Sequence, residues 1–87
     1  MTVTLTEVRA AFDALIAGTQ SREEIARWAE LRRTADDRRD LTYSPPKEEQ
    51  RIFAGLLYLI GVDTEVAPGE YLFSTDAFVE FRAEHGL

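Results

Sequence analysis

Residues 52–62, IFAGLLYLIGV, constrain this chain more than any other stretch. Ile52, Phe53, Leu56, Leu57, Leu59 and Ile60 are spaced so that a helix through them is apolar around most of its circumference. A helix of that kind is stable only when other elements cover it on several sides. The run is too short to cross a bilayer, which takes about 20 residues. The segment is therefore expected at the centre of a small globule, with any uncovered part of its surface available for self-association. With 87 residues the chain has room for one domain, 1–87, of modest stability.

Three further helices are expected around it. The first spans about Leu5–Ala17, where Leu5, Val8, Phe12, Leu15 and Ile16 form one apolar stripe. Thr4 and Glu7 have capping-box spacing at its start, and Gly18 suits a left-handed stop. The second starts at Arg22 behind a Ser21/Glu24 box and runs to Thr34 or beyond, with Ile25, Trp28 and Ala29, extended by Leu31 and Ala35, as its apolar face. The central helix begins near Pro46, with Ser44 able to cap it and Gly61 ending it. The last covers about Asp76–Glu84, capped by Ser74 or Thr75, with Phe78, Val79 and Phe81 on its apolar side. "LTYS" and "EYLFS" are short and β-prone, and a minimal ribbon between them is the one strand pairing considered. The fold class expected is all-α, a compact bundle of about four helices with room for that two-stranded ribbon.

Several chemistries are excluded by composition. There is no cysteine, hence no disulfide, thiol nucleophile or cysteine metal site, and a reducing cytoplasm is the favoured compartment. The N-terminal residues lack a cationic region ahead of their apolar positions, so no signal peptide and no membrane association are expected. Residues 61–78, GVDTEVAPGEYLFSTDAF, hold four acidic residues but fail as a calcium loop. Counting from Asp63, Ala67 and Pro68 stand where a ligand and the turn glycine are required. Pro68–Gly69 instead reads as a turn, with Tyr71, Leu72 and Phe73 anchoring the connection. His85 is the only histidine and has no companion for metal binding or acid–base work; it suits the negative end of a helix. Ser21, Ser44 and Ser74 all fall where helix caps are needed, and none sits in a nucleophile elbow. No enzyme, cofactor or metal is expected on these grounds. Trp28 reads as core, with a partner-facing anchor as the other option.

Charge shapes the functional expectation. The net charge is −6. Residues 1–40 carry seven Arg against eight Asp/Glu, and residues 41–87 three Lys/Arg against eight Asp/Glu. The acidic half repels phosphate backbones. Three roles are considered. The first is a non-enzymatic protein-interaction module, immunity- or antitoxin-like, that masks a basic protein through Tyr43, Glu48, Glu49, Asp63, Glu65 and Glu70. The second is a small ligand-binding protein or enzyme using carboxylates around Asp63 and Glu70. The third, ranked last, is DNA binding through the Arg-containing second helix, where the first two helices with Gly18 in the turn invite misreading as a helix–turn–helix. There Arg22, Arg27, Arg32 and Arg33 are interleaved with Glu23, Glu24, Glu30 and Asp36, against the net positive potential such a surface needs. The partner expected is thus a basic protein, with nucleic acid excluded and homo-oligomers open.

SREEIARWAE (21–30), LLYLIGVD (56–63) and PGEYLFSTDAFVEF (68–81) resemble a group of small uncharacterised bacterial proteins. The resemblance spans most of the chain. Its shared positions are caps, core residues and turns, so it implies a fold, and a binding role only by analogy. DRRDLTYSPPKEEQ (37–50) departs from the pattern.

Overall fold

The computed structural model describes residues 1–87. In chain order the elements are β1 (Thr2–Thr4), α1 (Leu5–Ala17), α2 (Arg22–Asp37), β2 (Thr42–Ser44), a 3-10 turn (Pro46–Glu48), α3 (Glu49–Ile60), β3 (Glu65–Ala67), β4 (Glu70–Tyr71) and α4 (Thr75–Glu84). The chain is mostly helical with two minor sheets.

Local signals placed the helix starts. Thr4 Oγ1 accepts from Glu7 N at 3.0 Å while Glu7 returns the bond to Thr4 N at 2.9 Å. Ser21 and Glu24 form the second reciprocal box, at 3.0 and 3.1 Å. Each box satisfies two amides that the first helical turn would leave free. Gly18 is left-handed, with φ 74°, and ends α1. Ser74 caps α4 through Ala77 N. Ser44 does not cap α3: it lies in β2, and the chain enters α3 through the 3-10 turn begun by Pro46.

α3 is the central element as its pattern requires. Ile52, Leu56 and Leu59 are fully buried and meet Val8 and Phe12 of α1, Ile25 of α2 and Phe78 of α4 in one core. Gly55 permits the approach of α1 to α3. A Cβ there would lie 2.7 Å from Val8 Cγ1, closer than any carbon tolerates. Burial is not complete around α3, because Leu57 remains 45% exposed. Val79, expected on the inner side of α4, is also exposed. Phe81 carries that side instead, with its ring 3.9 Å from those of both Tyr58 and His85.

The strands pair differently from the expected ribbon. Thr42–Ser44 joins the N-terminal strand in parallel, with Val3 opposite Tyr43 and both buried. Glu70–Tyr71 pairs with Glu65–Ala67 as a local hairpin about Pro68–Gly69. Gly69 has φ 79°, and its N–H donates to Glu65 Oε2 at 2.9 Å. LTYS and EYLFS therefore belong to different sheets. Residues 38–41, between α2 and β2, contain the one non-glycine left-handed residue, Arg39, with φ 60°.

Candidate functional site

The nine arginines divide into two groups once the fold is known. Five are engaged by other groups of the chain. Arg9 donates to Gly86 O, and Arg22 donates to Val62 O and Phe73 O. Arg32 bonds Trp28 O and lies 4.2 Å over the indole. Arg51 pairs with Glu48 at 3.0 Å, and Arg82 pairs with Asp13. The other four, Arg27, Arg33, Arg38 and Arg39, have no carboxylate within ion-pair distance and no hydrogen bond from the side chain. All four are exposed, and all lie on α2 or in the turn that ends it.

Helical geometry sets their spacing. Arg27, Leu31, Thr34 and Arg38 follow i, i+4, i+7, i+11 and so run along one side of α2. That side is opposite Ile25 and Ala29, which are buried. Arg27 and Arg38 are separated by about 16 Å along the axis. Arg33 lies on the flank, and Arg39 continues past the helix end. Leu31, between the two outer arginines, is 54% exposed.

The N-terminal end of α2 is held in place by the hairpin. Arg22 is clamped by the Val62 and Phe73 carbonyls, and its guanidinium lies over the rings of Tyr71 (4.2 Å) and Phe78 (4.8 Å). Tyr71 donates its hydroxyl hydrogen to Glu23, which holds that carboxyl below its ordinary range and raises the phenol.

The six residues expected to form an acidic rim are not brought together. Tyr43 is buried rather than exposed, and its hydroxyl donates to Asp36 Oδ1 at 3.1 Å. Burial, and then that bond, push its phenol up. Tyr43 shares a shallow hollow with Asp36, Glu49 and Phe53. Glu48 is engaged with Arg51. Glu65 closes the Pro68–Gly69 turn, and Glu70 is exposed on the same hairpin. Asp63 lines a separate hollow of about 330 Å³ with Glu23, Arg27, Glu30 and Leu31. Asp63 and Glu70 thus share no cavity, which removes the geometry that a carboxylate site needs. No group of three His, Asp or Glu side chains is placed to hold a metal ion. His85 caps α4, with Nδ1 3.0 Å from Phe81 O, and Trp28 packs half-buried against the core.

A short helical pair, α1 and α2, joined by a four-residue turn, with unpaired arginines on the outer side of the second helix, defines a small helical domain with a cationic ridge. A family model described as YxzC DNA-binding protein matches residues 2–85, and the chain belongs to that family. No curated protein and no solved structure matches the chain.

This family overturns two expectations. A protein-interaction module masking a basic protein conflicts with a family described as DNA-binding, and so does the exclusion of nucleic acid as a partner. The physical reason lies in how charge was averaged. Interleaved Arg and Glu on one helix suggest mutual neutralisation, and a net −6 suggests an acidic surface. In the folded chain none of the four outer arginines is paired, and Glu23 is taken by Tyr71. The acidic residues of the second half lie mainly on other elements. No helix is long and apolar enough to cross a membrane.

Proposed function

We propose that this chain acts as a non-enzymatic DNA-binding protein and that the outer side of α2 is its contact surface. The observation that carries the reading is the segregation of arginines. Every arginine away from the outer side of α2 and its end is held by the protein itself, while Arg27, Arg33, Arg38 and Arg39 are free. Arg27 and Arg38, about 16 Å apart, suit phosphates on the two sides of a groove about 12 Å wide. Arg39 adds a second indication. A left-handed residue just beyond a helix end is ordinarily glycine, and an arginine there costs about 1 kcal/mol or more of backbone strain. Retaining the long cationic side chain at that position fits a use for it.

The overall charge of −6 limits affinity without forbidding contact. At physiological salt the Debye length is about 8 Å, so carboxylates on remote elements are largely screened. Glu23, Glu30 and Asp63 share a hollow with Arg27 and Leu31, and Asp37 flanks the ridge, so these nearby carboxylates keep binding weak. A mainly phosphate-directed, salt-sensitive mode is the one this surface supports. The cysteine-free sequence fits a reducing cytoplasm, where bacterial DNA lies.

Fluorescence anisotropy with a labelled duplex tests the proposal. Four neutralised phosphates give a log–log salt slope of at most about −3.6, or a loss on the order of 10²-fold between about 50 and 200 mM salt. Absence of binding at low salt, or binding indifferent to the joint Arg27→Ala and Arg38→Ala change, would falsify it.

A further inference from the structure

A second cationic place lies away from α2, where the start of α3 meets the end of α4. Lys47, Glu48, Gln50, Arg51, Ala54 and His85 line an open depression of about 380 Å³, the largest on the molecule. Three of these side chains are basic or can become so, one is acidic, and Gln50 adds an amide donor.

Arg51 is held rather than consumed. Glu48 Oε2 takes Nη1 at 3.0 Å, which leaves most of the five guanidinium N–H donors unused. The guanidinium lies against the turn after α4, where a Cβ on Gly86 would make ordinary van der Waals contact with its Cζ at 3.6 Å. His85 is fixed by two independent contacts, its ring stacked on Phe81 at 3.9 Å and Nδ1 set on Phe81 O at 3.0 Å. A carbonyl accepts only, so Nδ1 carries the proton and Nε2 is left as an acceptor, able to take the hydrogen of a P–OH group. Lys47 is exposed and has no ion-pair partner.

We propose that this depression binds a phosphoryl group. A planar guanidinium oriented by a carboxylate, an ammonium and an amide supply the donors that tetrahedral oxygens need, and the Nε2 acceptor of His85 suits a P–OH hydrogen. The pairing of a pre-oriented Arg with a flexible Lys separates this place from the α2 ridge, whose arginines are unsupported. The group belongs either to a DNA backbone or 5′ end, or to a free phosphate or small phosphorylated molecule. The site stands independently of the α2 surface.

The test is a titration of isotope-labelled protein with inorganic phosphate at fixed ionic strength, followed by amide and imidazole shifts, with chloride as the control. Saturable shifts at Lys47, Gln50, Arg51 and His85 are expected. Lys47→Gln with Arg51→Gln should weaken phosphate about tenfold, since each removes a charge-assisted bond. Lys47→Gln alone, at an exposed and unpaired side chain, is the check against a folding defect. Shifts identical to those with chloride, or confined to α2, overturn the site. A duplex affinity that falls with the same variants names DNA as the source, and one that is unchanged names a free phosphorylated ligand. Arg27→Ala with Arg38→Ala should weaken duplex binding, lower its salt slope and spare inorganic phosphate, so failure of one surface is distinguishable from failure of the other.

Discussion

The two ends of α2 use the same residue type for opposite purposes. At the N-terminal end Arg22 is enclosed by two carbonyls and two aromatic rings and ties the helix to the hairpin. Toward the C-terminal end Arg27, Arg33, Arg38 and Arg39 touch no such partner. An arginine enclosed as Arg22 is contributes stability and has little left to offer a ligand. An unsatisfied one contributes almost nothing to stability and stays available. Formal charge does not distinguish the two, whereas the local partners do.

The largest expected effect comes from breaking the tied end. Arg22→Ala removes the donor for two carbonyls and the cation over two rings, and should cost about 2–3 kcal/mol. Thermal or urea unfolding checks this, and a loss below about 0.5 kcal/mol would mean the clamp is ornamental. At the free end the balance reverses. Arg27→Ala with Arg38→Ala should leave stability within about 0.5 kcal/mol and lower the salt slope of DNA binding by about 2.

Arg39 sharpens the contrast, since it alone is both free and strained. Arg39→Gly should raise stability by about 0.5 kcal/mol through relief of the left-handed backbone while weakening DNA binding. A destabilised variant would show that the side chain has a structural use. The smallest effect concerns Glu23. Its folded-state carboxyl is lowered from 4.5, first by the Tyr71 hydrogen bond. A depressed acid contributes stability that is present above the unfolded value and lost as pH falls through the folded one. The hairpin contact should therefore weaken below about pH 4.5, and Tyr71→Phe should flatten that acid dependence, as read by unfolding curves at several pH values.

The helices were legible because their signals are local. Capping boxes at Thr4/Glu7 and Ser21/Glu24, the stop at Gly18 and the turn at Pro68–Gly69 each operate within a few residues. The parallel pair β1–β2 was not legible. Its partners are 40 residues apart, and three-residue strands carry no register of their own. Tyr43 was misplaced for the same reason: beside acidic residues it resembles a surface tyrosine, but pairing with Val3 buries it.

The sequence by itself determined a cysteine-free, mostly helical chain whose apolar third helix had to lie at the centre, because hydrophobic periodicity and capping chemistry are written residue by residue. Only the tertiary structure decided which arginines are consumed and which are free. That division depends on carbonyls, rings and carboxylates brought from distant segments, such as Phe73 for Arg22 and Asp13 for Arg82. Charge counting along the chain averages over both groups. Folding separates them, because a guanidinium enclosed by carbonyls and rings, as Arg22 is, is spent and one on the outer side of a helix is not.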